Sequence, residues 1–485
     1  MKKELKFIIG IILCIIIITG IVSFEYGKVN IVMGILISVI TLLISAKIYT
    51  QKEIKEEKLF LYIVPIIMIL FLVGIPSWKN SDEPMHWYRI YDITQGNFYT
   101  KTIDGLAVGI LPIEIVNYHN YDSELDIKYS SFSELYKNKI SKDGEKYIIE
   151  LSTTAVYHPI QYMPQVIGTF IADIFTDRPF IMMYATRIAN MIFSLIILYF
   201  SIKIIPFGKK IMLLLTCIPV AASGFASMSP DAMTISMSYL FISYVLKIFN
   251  DKDNKIRWQE KIALVLMEIV VALILILPKE KYHSRKEQIA TCAIIIGAAI
   301  ITNLLWLEFS SHYLVEYKSG SSIVQLNKLL THPLQYLQNL IYTINYCARV
   351  YLEQLFGVGV GADLHISLYT TLPVIIFIMY IFLSITDKEI KNKLNTYQKV
   401  IISLIFLAIT GLIFTSLYIQ WTPVNFKIIA GVQGRYFLPI LPLLSLLIGS
   451  SIKLKSEYDE NKITKALRNY NISNICICNA NSFNQ

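Results

Sequence analysis

Charge is scarce in this chain. Asp, Glu, Lys and Arg make up only 16% of its 485 residues, against 55% hydrophobic residues. Soluble domains carry charge on roughly a quarter of their residues. An ordinary soluble enzyme is therefore excluded, and a multispanning membrane protein is expected. Cysteine is also sparse. Cys14, Cys217 and Cys292 sit in apolar runs as small hydrophobes. Cys347 is isolated, and Cys476 and Cys478 lie one residue apart in a polar tail, a spacing that suits neither zinc nor redox chemistry. No disulfide framework is expected. There is no long internal repeat and no low-complexity domain. No small-residue cleavage site follows the first apolar run, residues 7–22, where Ser23-Phe24-Glu25 stands instead. A retained first span, not a removed signal peptide, is the expectation. The net charge of +9 would suit nucleic acid. Its lysines, however, lie in short loops between apolar runs, as the positive-inside rule requires, and nucleic acid is rejected as a partner.

A spanning helix needs about 20 mostly apolar residues. The runs 7–22, 29–48, 59–75, 180–205, 211–227, 232–249, 289–307, 367–385, 400–419 and 434–452 meet that need, the first and third as short spans. Lys47, Lys52, Lys55 and Lys58 mark one cytoplasmic loop, Lys203, Lys209 and Lys210 a second, and Lys252, Lys255, Arg257 and Lys261 a third. Lys388, Lys391, Lys393 and Lys399 mark a fourth, and Lys453 and Lys455 place the C-terminus inside. The expectation is an all-α polytopic protein of the cytoplasmic membrane, with about ten crossings and both termini cytoplasmic. The membrane domain covers 1–455, with outer loops at about 77–179 and 308–366 carrying short surface helices, and 456–485 is a loose cytoplasmic tail. Residues 160–175 are apolar but interrupted by Gln161, Gln165 and Asp173. The sidedness of 180–205 forbids a crossing there, so an amphipathic surface helix is expected. Residues 262–277 have basic clusters at both ends and Glu268 in the middle. A re-entrant or surface helix and a shortened two-helix hairpin both fit, the second better.

Four stretches carry groups that could do chemistry. At the exit of 59–75 comes Ser81-Asp82-Glu83-Pro84-Met85-His86. Ser81 can cap a helix, Pro84 is tolerated in its first turn, and Gly96 can end it. Asp82 and Glu83 then sit at a helix N-terminus, which an acidic first turn favours on its own account. Either could instead take a proton from a substrate hydroxyl, leaving the other to orient substrate or bind a divalent cation through oxygen. His86 lies four residues from Asp82, on the same face; a lone histidine is more often structural. In Tyr157-His158-Pro159-Ile160-Gln161-Tyr162-Met163-Pro164 the two prolines hold the chain extended before a helix. Tyr157 and His158 are candidates for binding substrate or for anchoring at the membrane interface. Arg187 and Asn190 fall in the outer part of a span, where an arginine must pair with something. Asp231 follows Ser229-Pro230 at an outer turn, a position where most acids are helix caps. Gln433-Gly434-Arg435-Tyr436-Phe437-Leu438-Pro439 opens the last span. Gly434 permits close approach of a ligand or helix. Arg435 offers a fixed fork for phosphate or carboxylate, against the alternative of snorkelling to lipid headgroups.

Taken in order, Ser81–His86, Tyr157–Tyr162, Ser229-Pro230-Asp231-Ala232 and Gln433–Pro439 resemble a bacterial family of multispanning proteins, domain-of-unknown-function family 2142. That family is similar to the GT-C glycosyltransferases, such as the protein mannosyltransferases and the lipid A aminoarabinose transferases. The resemblance runs from the third span to about Pro442. It implies inverting transfer of a sugar from a polyprenyl-phosphate donor to a glycan or lipid acceptor outside the cytoplasmic membrane. It also implies an acidic base at Asp82 or Glu83 and a phosphate contact at Arg435; His86, Tyr157, His158, Arg187, Asp231 and Gln433 are the candidates for contacts around the substrate. Two departures stand out: Ser81 replaces an expected proline, and 262–277 is shorter than its counterpart. Alternatives are a flippase for lipid-linked glycan, for which Glu268 is the one mid-span acid, and a non-catalytic partner in glycan export.

Overall fold

The computed structural model describes residues 54–75, 80, 82–116, 136–141, 144–251, 253–266, 270–313, 322–357, 371–391 and 393–452. The expected spans at 7–22 and 29–48, the tail beyond 455, Ser81 and Glu268 lie outside them.

Helices dominate. Helix α1 (Glu56–Gly74) leads to α2 (Glu83–Thr94). After a small sheet come α3 (Met163–Phe175), α4 (Pro179–Ile204), α5 (Lys209–Cys217), α6 (Pro219–Phe225) and α7 (Asp231–Asn250). Then follow α8 (Trp258–Leu266), α9 (Arg285–Ser311), α10 (Ser322–Thr331), α11 (Pro333–Phe356), α12 (Thr371–Thr386), α13 (Thr396–Gln420) and α14 (Leu441–Ser451). Among the described residues, five helical stretches are long and apolar enough to cross a membrane: α4, α7, α9, α13, and Gly434–Ser451, which ends in α14. The exposed apolar surface of α9 and α13, including Ile300, Leu304, Leu305, Leu404, Leu407 and Leu412, is what a lipid-facing helix presents.

Three expectations need correction. The outer segment after α1 is not made of helices alone. It holds a three-stranded antiparallel sheet of β1 (Lys101–Ile103), β2 (Leu106–Pro112) and β3 (Lys146–Glu150). Lys101 faces Val108 and Ile103 faces Leu106, so Asp104-Gly105 forms the two-residue turn. Both turn residues have positive φ, 51° and 79°, the conformation that an Asp-Gly hairpin favours. Second, 211–227 is not one rod. It breaks between α5 and α6 at Ile218, because Pro219 cannot donate to the preceding turn. Third, the re-entrant or surface helix, one reading of 262–277, is not a single α-helix: α8 covers Trp258–Leu266, and Val271–Ile276 is a 3-10 turn with Leu273, Ile274 and Ile276 buried. It packs against α9 and α13.

A single apolar core links α1, α4, α5, α7, α12 and α14 through Phe60, Leu198, Leu215, Tyr239, Phe241, Tyr380 and Leu443. The basic loops meet at one end of this bundle. Lys209 pairs with Glu57 at 3.5 Å. Lys393 Nζ donates to Asn250 Oδ1 at 3.2 Å, and Lys399 Nζ donates to the Ser450 carbonyl at 2.6 Å. Helix α7 runs 20 residues from Asp231 to Asn250, so its first residue lies about 30 Å from that end.

Candidate functional site

At the far end, five charged side chains, Asp82, Glu83, Arg187, Asp231 and Arg435, assemble from four separate stretches. The deepest pair is Glu83 and Arg187, both almost fully buried. Arg187 Nε donates to Glu83 Oε1 at 2.9 Å, and Nη2 donates to Oε2. The remaining nitrogen, Nη1, donates to the Ile75 carbonyl at 2.9 Å, tying the end of α1 to α4. Glu83 Oε1 also accepts the Met228 backbone N–H at 3.1 Å. A buried charge is tolerable only when paired and hydrogen-bonded, and both conditions hold here.

The turn before α7 is fixed from three sides. Asn190 Nδ2 donates to the Ser227 carbonyl at 2.7 Å, Gln165 Nε2 donates to the Ser229 carbonyl at 3.1 Å, and Glu83 holds Met228 between them. That turn delivers Asp231. Below it, α3 and α4 pack with almost no gap: a Cβ on Gly168 would stand 2.5 Å from the Ala185 carbonyl oxygen. Small residues allow such an approach.

Above this layer the acidic corner is open. Asp82 is the N-cap of α2, but its side chain makes no capping bond, and its φ is 59°. Instead Asp82 Oδ2 accepts from Arg435 Nη2 at 3.0 Å. Arg435 Nε lies 3.5 Å from Asp231 Oδ2, within ion-pair reach but outside hydrogen-bond alignment. Exposure separates the three: 59% for the Asp82 side chain, 25% for Asp231 and 15% for Arg435. Arg435 also stands over the Tyr436 ring, 5.6 Å from its centre, a cation–π contact.

Gly434 places Arg435. The last membrane helix begins as a 3-10 turn over Gly434–Ile440. An added Cβ at Gly434 would come within 2.3 Å of the Tyr351 carbonyl oxygen on α11. Its N–H donates to Gln354 Oε1 at 2.8 Å. Gln433 is half-buried and starts the turn, its carbonyl accepting the Tyr436 N–H at 3.1 Å.

The aromatic wall comes from His86, Tyr157 and Tyr162. His86 is buried, with Nδ1 2.9 Å from the Tyr162 hydroxyl. Burial lowers its pKa from 6.5 to about 4, outweighing the nearby Asp231 and Asp82 carboxylates, which raise it. The Tyr157 ring meets His86 edge-on at 5.6 Å. Burial, and then Asp231, push its phenol well above the usual range. His158 is exposed; its Nδ1 accepts the Ile160 N–H at 3.2 Å and its ring packs edge-on against Trp306 at 4.5 Å.

So Asp82 and Asp231 share Arg435, the buried Glu83–Arg187 pair lies beside them in the chain and in the bundle, and His86 and Tyr157 pack edge-on against each other. His158 and Gln433 serve the backbone around these groups. Sequence reasoning missed the supports: Gln165, Tyr162, and Trp306, whose Nε1 donates to the Val156 carbonyl at 2.8 Å. Trp306 near the end of an apolar run was the available signal, since tryptophan there seeks a polar partner. Among the described residues, no three His, Cys, Asp or Glu side chains cluster as metal ligands.

The family model for predicted membrane proteins (DUF2142) matches residues 66–444. The chain belongs to that family. The match takes in the site from Asp82 to Arg435 together with the helices that frame it. No curated protein and no solved structure matches the chain.

Proposed function

We propose that this family member is a GT-C-like, inverting glycosyltransferase of the cytoplasmic membrane, with about ten crossings and both termini inside. It transfers a sugar from a polyprenyl-phosphate donor to a hydroxyl of a cell-surface glycan or lipid. By the positive-inside rule the basic end of the bundle faces the cytoplasm, so the site opens on the outer side, where such lipid-linked sugars are consumed.

The reading rests on one observation above all. Of two adjacent acids, Glu83 is buried and bonded through both oxygens, while Asp82 is exposed and pairs with Arg435. Asp82 is then the general base, which must reach a substrate proton. Arg435 is the phosphate contact, since a guanidinium fork suits phosphate oxygens. In the reaction the acceptor oxygen attacks the anomeric carbon from the face opposite the phosphate. The bond from that carbon to the phosphate oxygen breaks, its electron pair leaves with polyprenyl phosphate, and the hydroxyl proton passes to Asp82. Glu83 and Arg187 position this pair.

The test is transfer of radiolabelled sugar from polyprenyl-phosphate donors by the purified chain. Asp82→Asn is expected to lose about 10²–10⁴-fold in rate, the usual worth of a positioned base. Full activity in that variant would end this mechanism.

A further inference from the structure

Two carboxylates share Arg435: one bonds its Nη2, and the other faces its Nε within ion-pair reach. Asp82 takes Nη2 at 3.0 Å, and Asp231 faces Nε at 3.5 Å. Their mountings differ as well. Asp231 follows a turn pinned by Asn190, Gln165 and Glu83. One turn further along α7, Thr234 accepts from Gln161 at 3.1 Å. Asp82 has none of that support from its side chain: it is more than half exposed, and its backbone is left-handed. Exposed ion pairs are weak, whereas a guanidinium holding a phosphate oxygen makes one of the stronger hydrogen bonds. Asp231 is thus the fixed partner and Asp82 the displaceable one.

We propose that Asp231 is a positioning residue that keeps Arg435 aimed from its Nε side, while the phosphate oxygens of an incoming polyprenyl-phosphate donor displace Asp82 from Nη2. Donor binding then frees Asp82 for the acceptor hydroxyl. The donor must bind first, because the empty site keeps its own base engaged. This deepens the transferase reading and rests on it.

The experiment is equilibrium binding to the purified full chain in detergent. Farnesyl phosphate is the lipid probe, and inorganic phosphate is the headgroup alone. Asp82→Asn removes the competitor and is expected to tighten both probes two- to fivefold. Asp231→Asn removes the same charge from the same arginine, yet is expected to weaken both five- to tenfold. Asp231→Glu, which keeps the carboxylate, is expected to recover most of that loss. A plain charge effect would tighten both asparagine variants alike, and that result overturns the proposal. Unchanged or weaker binding in Asp82→Asn also overturns it, as does a failure of Asp231→Glu to recover affinity. Tightening seen with farnesyl phosphate but not with inorganic phosphate would place the effect away from the guanidinium and overturn it too. If the wild-type chain binds neither probe, the phosphate role of Arg435 itself fails, and with it the proposed function.

Discussion

Arg187 grips Glu83 through both carboxylate oxygens inside the bundle, and the next residue along the chain, Asp82, meets Arg435 at the surface. One acid is anchored so that its neighbour can be presented. Removing a single partner of a buried pair strands the other charge and costs about 3–5 kcal/mol. Arg187→Ala would also release the Ile75 carbonyl. It is expected to lower the detergent-solubilised melting temperature by many degrees and to deplete the protein from membranes. Glu83→Gln, which keeps an acceptor for Met228 N–H and Arg187, should lose less. Thermal melts of both variants beside wild type check the order.

Asp82 behaves oppositely. Its left-handed backbone, at φ 59°, costs a residue with a Cβ roughly 1 kcal/mol, and glycine avoids that cost. The exposed pair with Arg435 returns about 0–1 kcal/mol. Asp82→Gly is therefore expected to be at least as stable as wild type while losing transfer activity. A melt combined with a transfer assay separates this outcome from simple misfolding. A variant that is both unstable and inactive would show that the acid serves the fold.

How much of this was legible beforehand follows from the range of the interactions. The long apolar runs report their own burial in lipid, so α4, α7, α9 and α13 were visible in composition alone. Asp82, Asp231 and Arg435 could be named as charges at span ends, because a charge is costly in lipid wherever it points. Which acid is locked could not be read, since Glu83 meets Arg187 across 104 residues. The sheet has a local signal instead. Asp104-Gly105 between Ile103 and Leu106 is a hairpin signal, but the polar residues around it blur the alternation of the short strands. The break at Pro219 was equally local, but the apolar run across it hid the change of direction.

His86 supplies a pH signature. Its pKa falls from 6.5 to about 4 through burial, so the folded protein holds it neutral while an unfolded chain would bind a proton. Stability from this group is complete above about pH 6.5 and declines as pH drops toward 4, because the unfolded state gains protons first. The loss amounts to about 2–4 kcal/mol across that window. His86→Gln is expected to be less stable at pH 8, where the Tyr162 contact is weakened, and to show a flatter decline between pH 6.5 and 4. Melting temperatures of the two proteins at half-unit intervals decide it; parallel curves would assign the acid sensitivity to other groups.

Gly434 offers the sharpest test of how the arginine is aimed. A methyl there would stand 2.3 Å from the Tyr351 carbonyl oxygen and 2.8 Å from the Leu355 nitrogen. Both are backbone atoms of α11, which cannot rotate away as a side chain could. Either the 3-10 turn lifts off the helix or α11 shifts, and overpacking of this kind costs about 1–3 kcal/mol or more. Lifting the turn would also lengthen the Gly434 N–H bond to Gln354 and carry Arg435 away from Asp231. Gly434→Ala is expected to melt several degrees lower and to weaken farnesyl phosphate binding more than it lowers stability. Gln354→Ala, which deletes only the acceptor, should lose about 1 kcal/mol and leave phosphate binding within twofold of wild type. If the two variants weaken binding equally, the close approach at Gly434 does not aim Arg435.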